Sequence, residues 1–411
     1  MKQNKEHLLL LVHRIPYPPN KGDKIRSYHL LQHLCKTHIV HLGTFVDDEN
    51  DIKYIETVKK LCGETYFSKL RPSFAKLASV TALVKNKALS LDYYRSPSMQ
   101  TWVKTTIKKH AISKVMVFSS SMGQFVENIP GMLRIIDFVD IDSDKWEQYS
   151  AKKSWPMSYL YRREARTLLT YEKKLANMFD ASYFVSQAES DLFKQLAPES
   201  AKKISYFNNG VDTDYFCPKT HYENPYSSSE KVIVFTGAMD YWPNIDAVQW
   251  FANEVFPSLL LQHPTAIFCI VGARPSEQVT QLDKLPGIRV TGTVPDVRPF
   301  IAHAHAAVAP LRIARGIQNK VLEAMAMEKI VVASKQALEG IDVIPGEGLL
   351  LAKNSECFTK ILSELLKENH PGDAPIARHI VETKYNWAHN LSVLDSVLDN
   401  ASSTAYAQKT S

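Results

Sequence analysis

The residues best suited to chemistry lie between Ala309 and Ser334, where the chain reads APLRIARGIQNKVLEAMAMEKIVVAS. Three cations, Arg312, Arg315 and Lys320, surround Gly316, and a carboxylate, Glu323, follows. The apolar run at 305–310 reads as a buried strand and 330–333 as the next. Val321, Leu322, Met325 and Ala326 recur at helical spacing, so the stretch predicts strand, loop, helix, strand, with Gly316 at the loop-to-helix join. Open backbone N–H groups and the positive end of the helix dipole attract an anion at such a join, and a glycine lets a phosphate come close. Glu323, about two turns in, is placed to accept hydrogen bonds from sugar hydroxyls. The same residues also fit an ordinary helix with a solvated basic start.

Strand–turn–helix units of this kind recur along the chain. Residues 8–12 predict a strand, followed by a Pro-rich loop with Gly22 just before a helix. Strands follow at 38–45, 114–118, 134–138, 181–186 and 204–207, with helical patterns between them. A second series begins at 232–235 and continues at 266–271 and 288–291, with Gly237, Gly272 and Gly292 after its three strands. Glycines in those positions line the ligand edge of a doubly wound sheet. The polar, Pro/Ser-rich stretch 217–230 reads as a linker between the two series. Asn209-Gly210 predicts a tight left-handed turn.

Three features invite competing readings. Asp140-x-Asp142 at a strand end could hold a divalent cation with substrate phosphates or cap a helix. His303-x-His305 has no third ligand beside it and reads as structural. The segment 67–87 interleaves Lys69, Arg71, Lys76, Lys85 and Lys87 with Phe67, Leu70, Phe74, Leu77 and Leu83. That pattern fits a membrane-surface or acceptor-docking helix as well as a solvated face.

The segment RGIQNKVLEAMAM resembles the donor-site signature of the retaining glycosyltransferases of family 4, which have the GT-B fold. That signature carries two glutamates, the second followed by Ala-Met-Ala. Glu323-Ala-Met-Ala326 matches the second, and Arg315 stands at the position of the first. Together with HRIPYPPNKGDKIRSYHLL near the start, it looks like the sugar transferases of exosortase (PEP-CTERM) exopolysaccharide clusters. The resemblance runs from His13 to about Leu398.

The resemblance implies an α/β chain of two Rossmann-like, doubly wound domains facing a central cleft, with a C-terminal helix crossing back to the first. Boundaries follow at 1–216, a linker at 217–230, a nucleotide-sugar domain at 231–380, a crossover helix at 381–399 and a disordered tail at 400–411. It implies a retaining, metal-independent hexosyltransferase that uses a UDP- or GDP-linked sugar as substrate and no cofactor. Glu323, Arg315 and Lys320 become the catalytic candidates. Gly22, Gly237, Arg274, Thr293, Val294, Arg312, Gly316, Ile317, Gln318 and Asn319 fall on the donor and phosphate side, and Lys24, Arg26, Asp140 and Asp142 on the acceptor side. Arg315 reads as a relocated diphosphate clamp, because 237–244 holds no cation, or as the reader of a carboxylate on a uronic-acid donor. The expected partners are a nucleotide-sugar donor, a glycan or lipid-linked saccharide acceptor and peripheral contact with a membrane, and no nucleic acid. An epimerase of the same fold and a non-catalytic sugar-nucleotide binder are the competing functions.

Composition bounds these readings. A chain of 411 residues, 45% hydrophobic and 22% charged, has room for two globular domains. The formal charge of +6 suits an anionic substrate or an acidic surface. Five scattered cysteines without a CxxC pair predict reduced thiols in a cytoplasm. No apolar run reaches the roughly 20 residues that span a bilayer, and residues 8–12 read as a first strand, not a signal peptide.

Overall fold

The structure, a computed structural model, describes residues 5–19, 22–70, 87–151, 153–314, 317–343, 345–346, 348–367 and 374–399. The chain divides into two compact units, the first reaching Asn208 and including the segment from Leu391, the second spanning Asn209–Asn390.

The first unit is built on a parallel sheet of β1 (Glu6–Val12), β2 (His38–Val46), β3 (Thr65–Lys69), β4 (Lys114–Phe118), β5 (Leu133–Val139), β6 (Ala181–Phe184) and β7 (Ile204–Tyr206). Their order is β3-β2-β1-β4-β5-β6-β7, every pair parallel. Leu8 to Val12 are all fully buried, as a central strand covered on both faces requires. That explains why this strand reads as a continuous apolar run.

The second unit repeats the plan with β8 (Lys231–Thr236), β9 (Ala266–Val271), β10 (Ile288–Gly292), β11 (Ala306–Ala309), β12 (Val331–Ala333) and β13 (Leu349–Leu351). The order is β10-β9-β8-β11-β12-β13, again all parallel. In both sheets the winding reverses beside the first strand, at β1/β4 and at β8/β11. Such reversals leave a crevice at the carboxyl ends of the strands, where ligands of open α/β sheets sit. The expected pair of Rossmann-like, parallel-sheet domains is thus the observed architecture.

Several boundaries differ from expectation. The first unit ends at Asn208, not at residue 216. The 217–230 stretch is not a free linker: Tyr226 is buried in the second core and its hydroxyl donates to Phe300 O at 2.9 Å. Two tyrosines in a polar stretch anchor it, and composition averages them away. The crossover helix expected at 381–399 is broken: residues 381–384 end the helix Pro375–Lys384, and Trp387–Leu391 and a helical run at 393–399 follow. The second piece lies with the first unit, where Asp395 accepts from His33 at 2.8 Å. Gly210 does not adopt a positive φ. It is required for space, because a Cβ there would lie 2.7 Å from the Trp387 backbone nitrogen. The tail at 400–411 and most of the basic 67–87 segment lie outside the described residues.

The first unit also contains buried charge. Arg26 is fully buried and forms two bonds to Asp137, at 2.7 and 3.1 Å, and one to Phe207 O at 2.9 Å. Its guanidinium lies 3.7 Å from the Phe207 ring centre. Burial pushes the Asp137 carboxyl upward in pKa, opposed by the Arg26 charge. Removing one member of such a pair strands the other, whereas replacing both by apolar groups can be neutral. Arg26→Met is therefore expected to lower the unfolding free energy by about 3–5 kcal/mol. The double variant Arg26→Met/Asp137→Leu should recover most of that loss in urea unfolding. Equal stabilities of the single variant and the parent would contradict the assignment.

Candidate functional site

In the second unit the chain leaves β8 at Thr236 and turns at Gly237 into a helix, Trp242–Glu254, with Pro243 in its first turn. β9 ends beside it, and a Cβ on Gly272 would stand 1.6 Å from Gly237 O. Only a glycine permits that approach, so Gly272 sets how closely the two strand ends converge. A Cβ on Gly237 would meet Asn244 Nδ2 at 2.7 Å and Lys320 Nζ at 3.1 Å. Gly237 therefore faces the functional groups directly.

Lys320 and Glu323 reach this point from the helix Asn319–Ala326, which follows β11. Val321, Leu322, Ala324, Met325 and Ala326 bury its apolar face against the second core. Residues three apart share a helix face, so Lys320 and Glu323 both lie on the remaining polar side. Ser334 donates to Leu311 O and accepts from Ala337 N, holding the chain just after β11.

The Lys320 ammonium donates to Asn244 Oδ1 and lies 4.2 Å from the centre of the Phe235 ring. Asn244 is itself buried, and its Nδ2 donates to Ala238 O at 2.9 Å. Val234, Thr236, Ala309, Ala324 and Val331 complete a small, mostly apolar hollow around the lysine. Burial lowers the Lys320 pKa to about 7, with Glu323 opposing the shift. Burial raises Glu323 to about 7, opposed by Lys320. Among the described residues the site thus pairs the lysine with one neutral hydrogen-bond partner and a carboxyl poised near neutrality. Beside a helix N-terminus, that combination is chemically suited to an anion with adjacent hydroxyls.

The other donor-side candidates are distributed around this point. Ile317 is buried, Gln318 precedes the helix, and Asn319 Oδ1 accepts from Asn209 Nδ2 at 3.5 Å. Thr293 and Val294 follow β10 just past Gly292, which has φ 68°. Arg274 follows β9 at φ 51°, and its guanidinium is bound to Asp240 at 2.6 and 3.2 Å. Arg312 is likewise exposed and paired with Asp246 on the helix Trp242–Glu254. Its charge is directed to that helix and is not shared with Lys320. Arg315 and Gly316 lie outside the described residues.

The candidates in the first unit, Gly22 on the donor side and the four acceptor-side residues, fare differently. Gly22 opens the helix Gly22–Thr37 with free space around it, so no close approach demands a glycine there. Lys24 and Arg26 on this helix were expected to contact an acceptor, but both are buried in ion pairs, Lys24 with Asp51 at 2.7 Å and Arg26 with Asp137. They support the fold and present no charge to a ligand. Asp140 and Asp142 share the Lys145 ammonium, at 2.7 and 3.2 Å. His303 bonds to Tyr222 O, and His305 Nδ1 accepts from Val232 N, the structural roles expected.

Sequence reasoning missed His13 and Asp23, which meet where the first sheet reverses. His13 follows β1, with its ring stacked on Phe118 of β4 at 5.8 Å and its Nε2 3.4 Å from Asp23 Oδ2. Its Nδ1 is buried with no hydrogen-bond partner. Burial would raise the Asp23 pKa, but the hydrogen bond and charge of His13, with Arg14, hold it well below the carboxylate range. Among the described residues one group could hold a metal: His7, His41 and His110, with ring nitrogens within 4.8 Å. His41 Nδ1 accepts from Glu64 N at 3.0 Å, so its proton sits on Nε2 and is given to His7 Nδ1 at 2.8 Å. The Nδ1 lone pairs of His41 and His7 thus already receive protein protons.

The titration of the Lys320–Glu323 pair predicts two slopes in stability. Between about pH 7 and 10.5, the unfolded lysine holds a proton that the folded one has released, so stability rises with pH. Between 4.5 and about 7, the folded glutamate holds a proton that the unfolded one has lost, so stability falls with pH. Lys320→Met should remove the upper slope and Glu323→Gln the lower one in urea unfolding measured across pH. Unaltered slopes in both variants would contradict the desolvation of this pair.

Comparison with known proteins follows the same division of the chain. Residues 230–368 match a family model described as glycosyl transferases group 1. No curated protein matches the chain. Among solved structures, sucrose-phosphate synthase from Thermosynechococcus elongatus superposes with a TM-score of 0.69 at 14% identity, covering 97% of this chain and 100% of that one. HepE from Anabaena, in complex with UDP and glucose, gives 0.63 at 17% identity over 96% and 100%. WaaG, a glycosyltransferase involved in lipopolysaccharide biosynthesis, gives 0.64 at 13% identity over 95% and 99%. The chain has the GT-B glycosyltransferase fold, and its second unit carries the match to glycosyl transferases group 1.

Proposed function

We propose that the protein is a retaining glycosyltransferase that moves a sugar from a nucleoside-diphosphate sugar to a hydroxyl acceptor, in the assembly of an exopolysaccharide or another cell-surface glycan. The observation that carries this reading is the desolvated Lys320 beside Gly237, Asn244 and Glu323 at the switch point of the second sheet. In the reaction the bond from the anomeric carbon to the diphosphate oxygen breaks and a bond to the acceptor oxygen forms. The acceptor proton leaves on the departing diphosphate. Negative charge grows on that diphosphate, and a fixed ammonium in a dry site stabilises it more than water would. Glu323 accepts from the donor ribose, and Arg315 adds a second cation at the loop. Asp140 and Asp142 contact acceptor hydroxyls through the cluster around Lys145. UDP-linked sugars are the first donors to try, given the UDP bound by HepE. The reaction is independent of a metal cofactor, because Lys320, Arg315 and the helix start supply the charge. The site of action is the inner face of a membrane, with a saccharide, free or lipid-linked, as acceptor.

A second reading, transfer with inversion, is favoured by one observation. His13 is oriented by Asp23 and has a buried, unpartnered Nδ1, the arrangement of a general base and its orienting carboxylate. The anomeric configuration of the product, read by NMR coupling constants, separates the two. Retention of the donor configuration supports the proposal, and inversion assigns the base role to His13.

Glu323→Ala is expected to fold and to lose roughly ten- to a hundredfold in kcat/KM through the lost charged hydrogen bond. A near-parental value would overturn the site. Turnover should also persist in EDTA. Loss in EDTA with recovery on adding Mn²⁺ or Mg²⁺ would instead give Asp140 and Asp142 a metal-binding role.

A further inference from the structure

The first unit carries an apolar, cationic projection that no step of the reaction uses. Two helices, Asp142–Ala151 and Met157–Met178, pack along each other, and Ser143 donates to the buried Glu172 at their base at 2.5 Å. Trp146 packs against Tyr161 at 5.1 Å between ring centres. These contacts make the hairpin a rigid support. At its tip the pattern reverses: Trp155 is 81% exposed and Tyr159 65%, and Tyr149 and Met157 are exposed as well. Large aromatic side chains of folded proteins are seldom left so open, and such a cluster marks a contact surface.

The charges around the tip define the partner. From Tyr149 to Arg163 the chain reads YSAKKSWPMSYLYRR, with four Lys or Arg and no Asp or Glu. The chain as a whole has a formal charge of only +6, so this short segment is far more basic than the average. Arg162 and Arg166 are exposed on the same side of the long helix as Tyr159. Exposed indole and phenol rings with the exposed cations Lys153 and Arg162 beside them in the chain match a bilayer headgroup region, where the rings settle at the boundary and the cations meet anionic lipid. Among the described residues no helix is long and apolar enough to cross a membrane, so the contact is interfacial.

We propose that the hairpin tip centred on Trp155 docks the protein onto a membrane rich in anionic phospholipid. This deepens the membrane placement proposed above by assigning its surface, and it stands apart from the transfer chemistry, because docking is measured without donor or acceptor.

The test is co-sedimentation of the full chain with vesicles of phosphatidylcholine alone or with about a third phosphatidylglycerol. The parent should bind the anionic vesicles, bind the neutral ones weakly and release on raising the salt. Trp155→Ser/Tyr159→Ser should weaken partitioning roughly tenfold, and Lys153→Glu/Arg162→Glu at least as much, with unchanged melting temperatures because these side chains are exposed. The parent's blue-shifted tryptophan emission on anionic vesicles should be lost in Trp155→Ser. Failure to bind anionic vesicles, or full binding by the aromatic variant, would overturn the proposal. So would light scattering showing a parental dimer that Trp155→Ser dissociates, since the tip would then be a protein interface. Loss of transferase activity with vesicle binding intact would count against the transfer reading alone.

Discussion

The withdrawal of the Lys320 ammonium from water is the constraint around which the second unit is arranged. Holding a cation in a partly apolar hollow is unfavourable, and among the described residues Asn244 Oδ1, the Phe235 ring face and the nearby Glu323 offset it. The surrounding backbone follows from that requirement. Gly237 must lack a side chain to leave room for the ammonium, and Gly272 must lack one to let β8 and β9 converge. The buried face of the helix Asn319–Ala326 holds Lys320 at the end of β8. A ligand anion that replaces the missing solvent would relieve the strain of this arrangement, so a cost in the empty protein becomes binding energy.

The first unit uses similar residue types to opposite effect. Arg26 and Lys24 are as cationic as Lys320, but each is matched by a buried carboxylate, and Arg26 has carbonyl acceptors as well. Their charge is consumed in holding the helix Gly22–Thr37 against the sheet. Arg274 and Arg312 are a third case, being exposed and paired to neighbouring aspartates. Surface pairs of that kind contribute little and exchange partners readily. Burial and partner, more than residue type, thus separate a binding cation from a structural one.

Those distinctions explain what the sequence revealed. The strands were legible because buried parallel strands must be continuous apolar runs, as at Leu8–Val12. The glycines after β8, β9 and β10 were legible because a strand–turn–helix series needs them there. The role of Arg26 was hidden because its partner, Asp137, is 111 residues away. Asn244 was overlooked for a similar reason: an asparagine after a proline reads as a helix start, and its bond to Lys320 spans 76 residues. Gly210 was read as a turn glycine, whereas its neighbour in space is Trp387. His13 was passed over because nothing local marks the sheet reversal at which it meets Asp23. Local pattern gives elements, and long-range pairing decides which of their charges remain available.

In the proposed reaction Lys320 receives the donor diphosphate. A lysine with a pKa near 7 is largely neutral at pH 8, and a bound diphosphate must restore its proton. Calorimetric titration of UDP at pH 8, in two buffers of different ionisation enthalpy, reads that uptake directly. Net uptake should approach one proton per UDP and be abolished in Lys320→Met along with roughly tenfold or more of the affinity. Binding without proton uptake, at an affinity that Lys320→Met leaves unchanged, would contradict it.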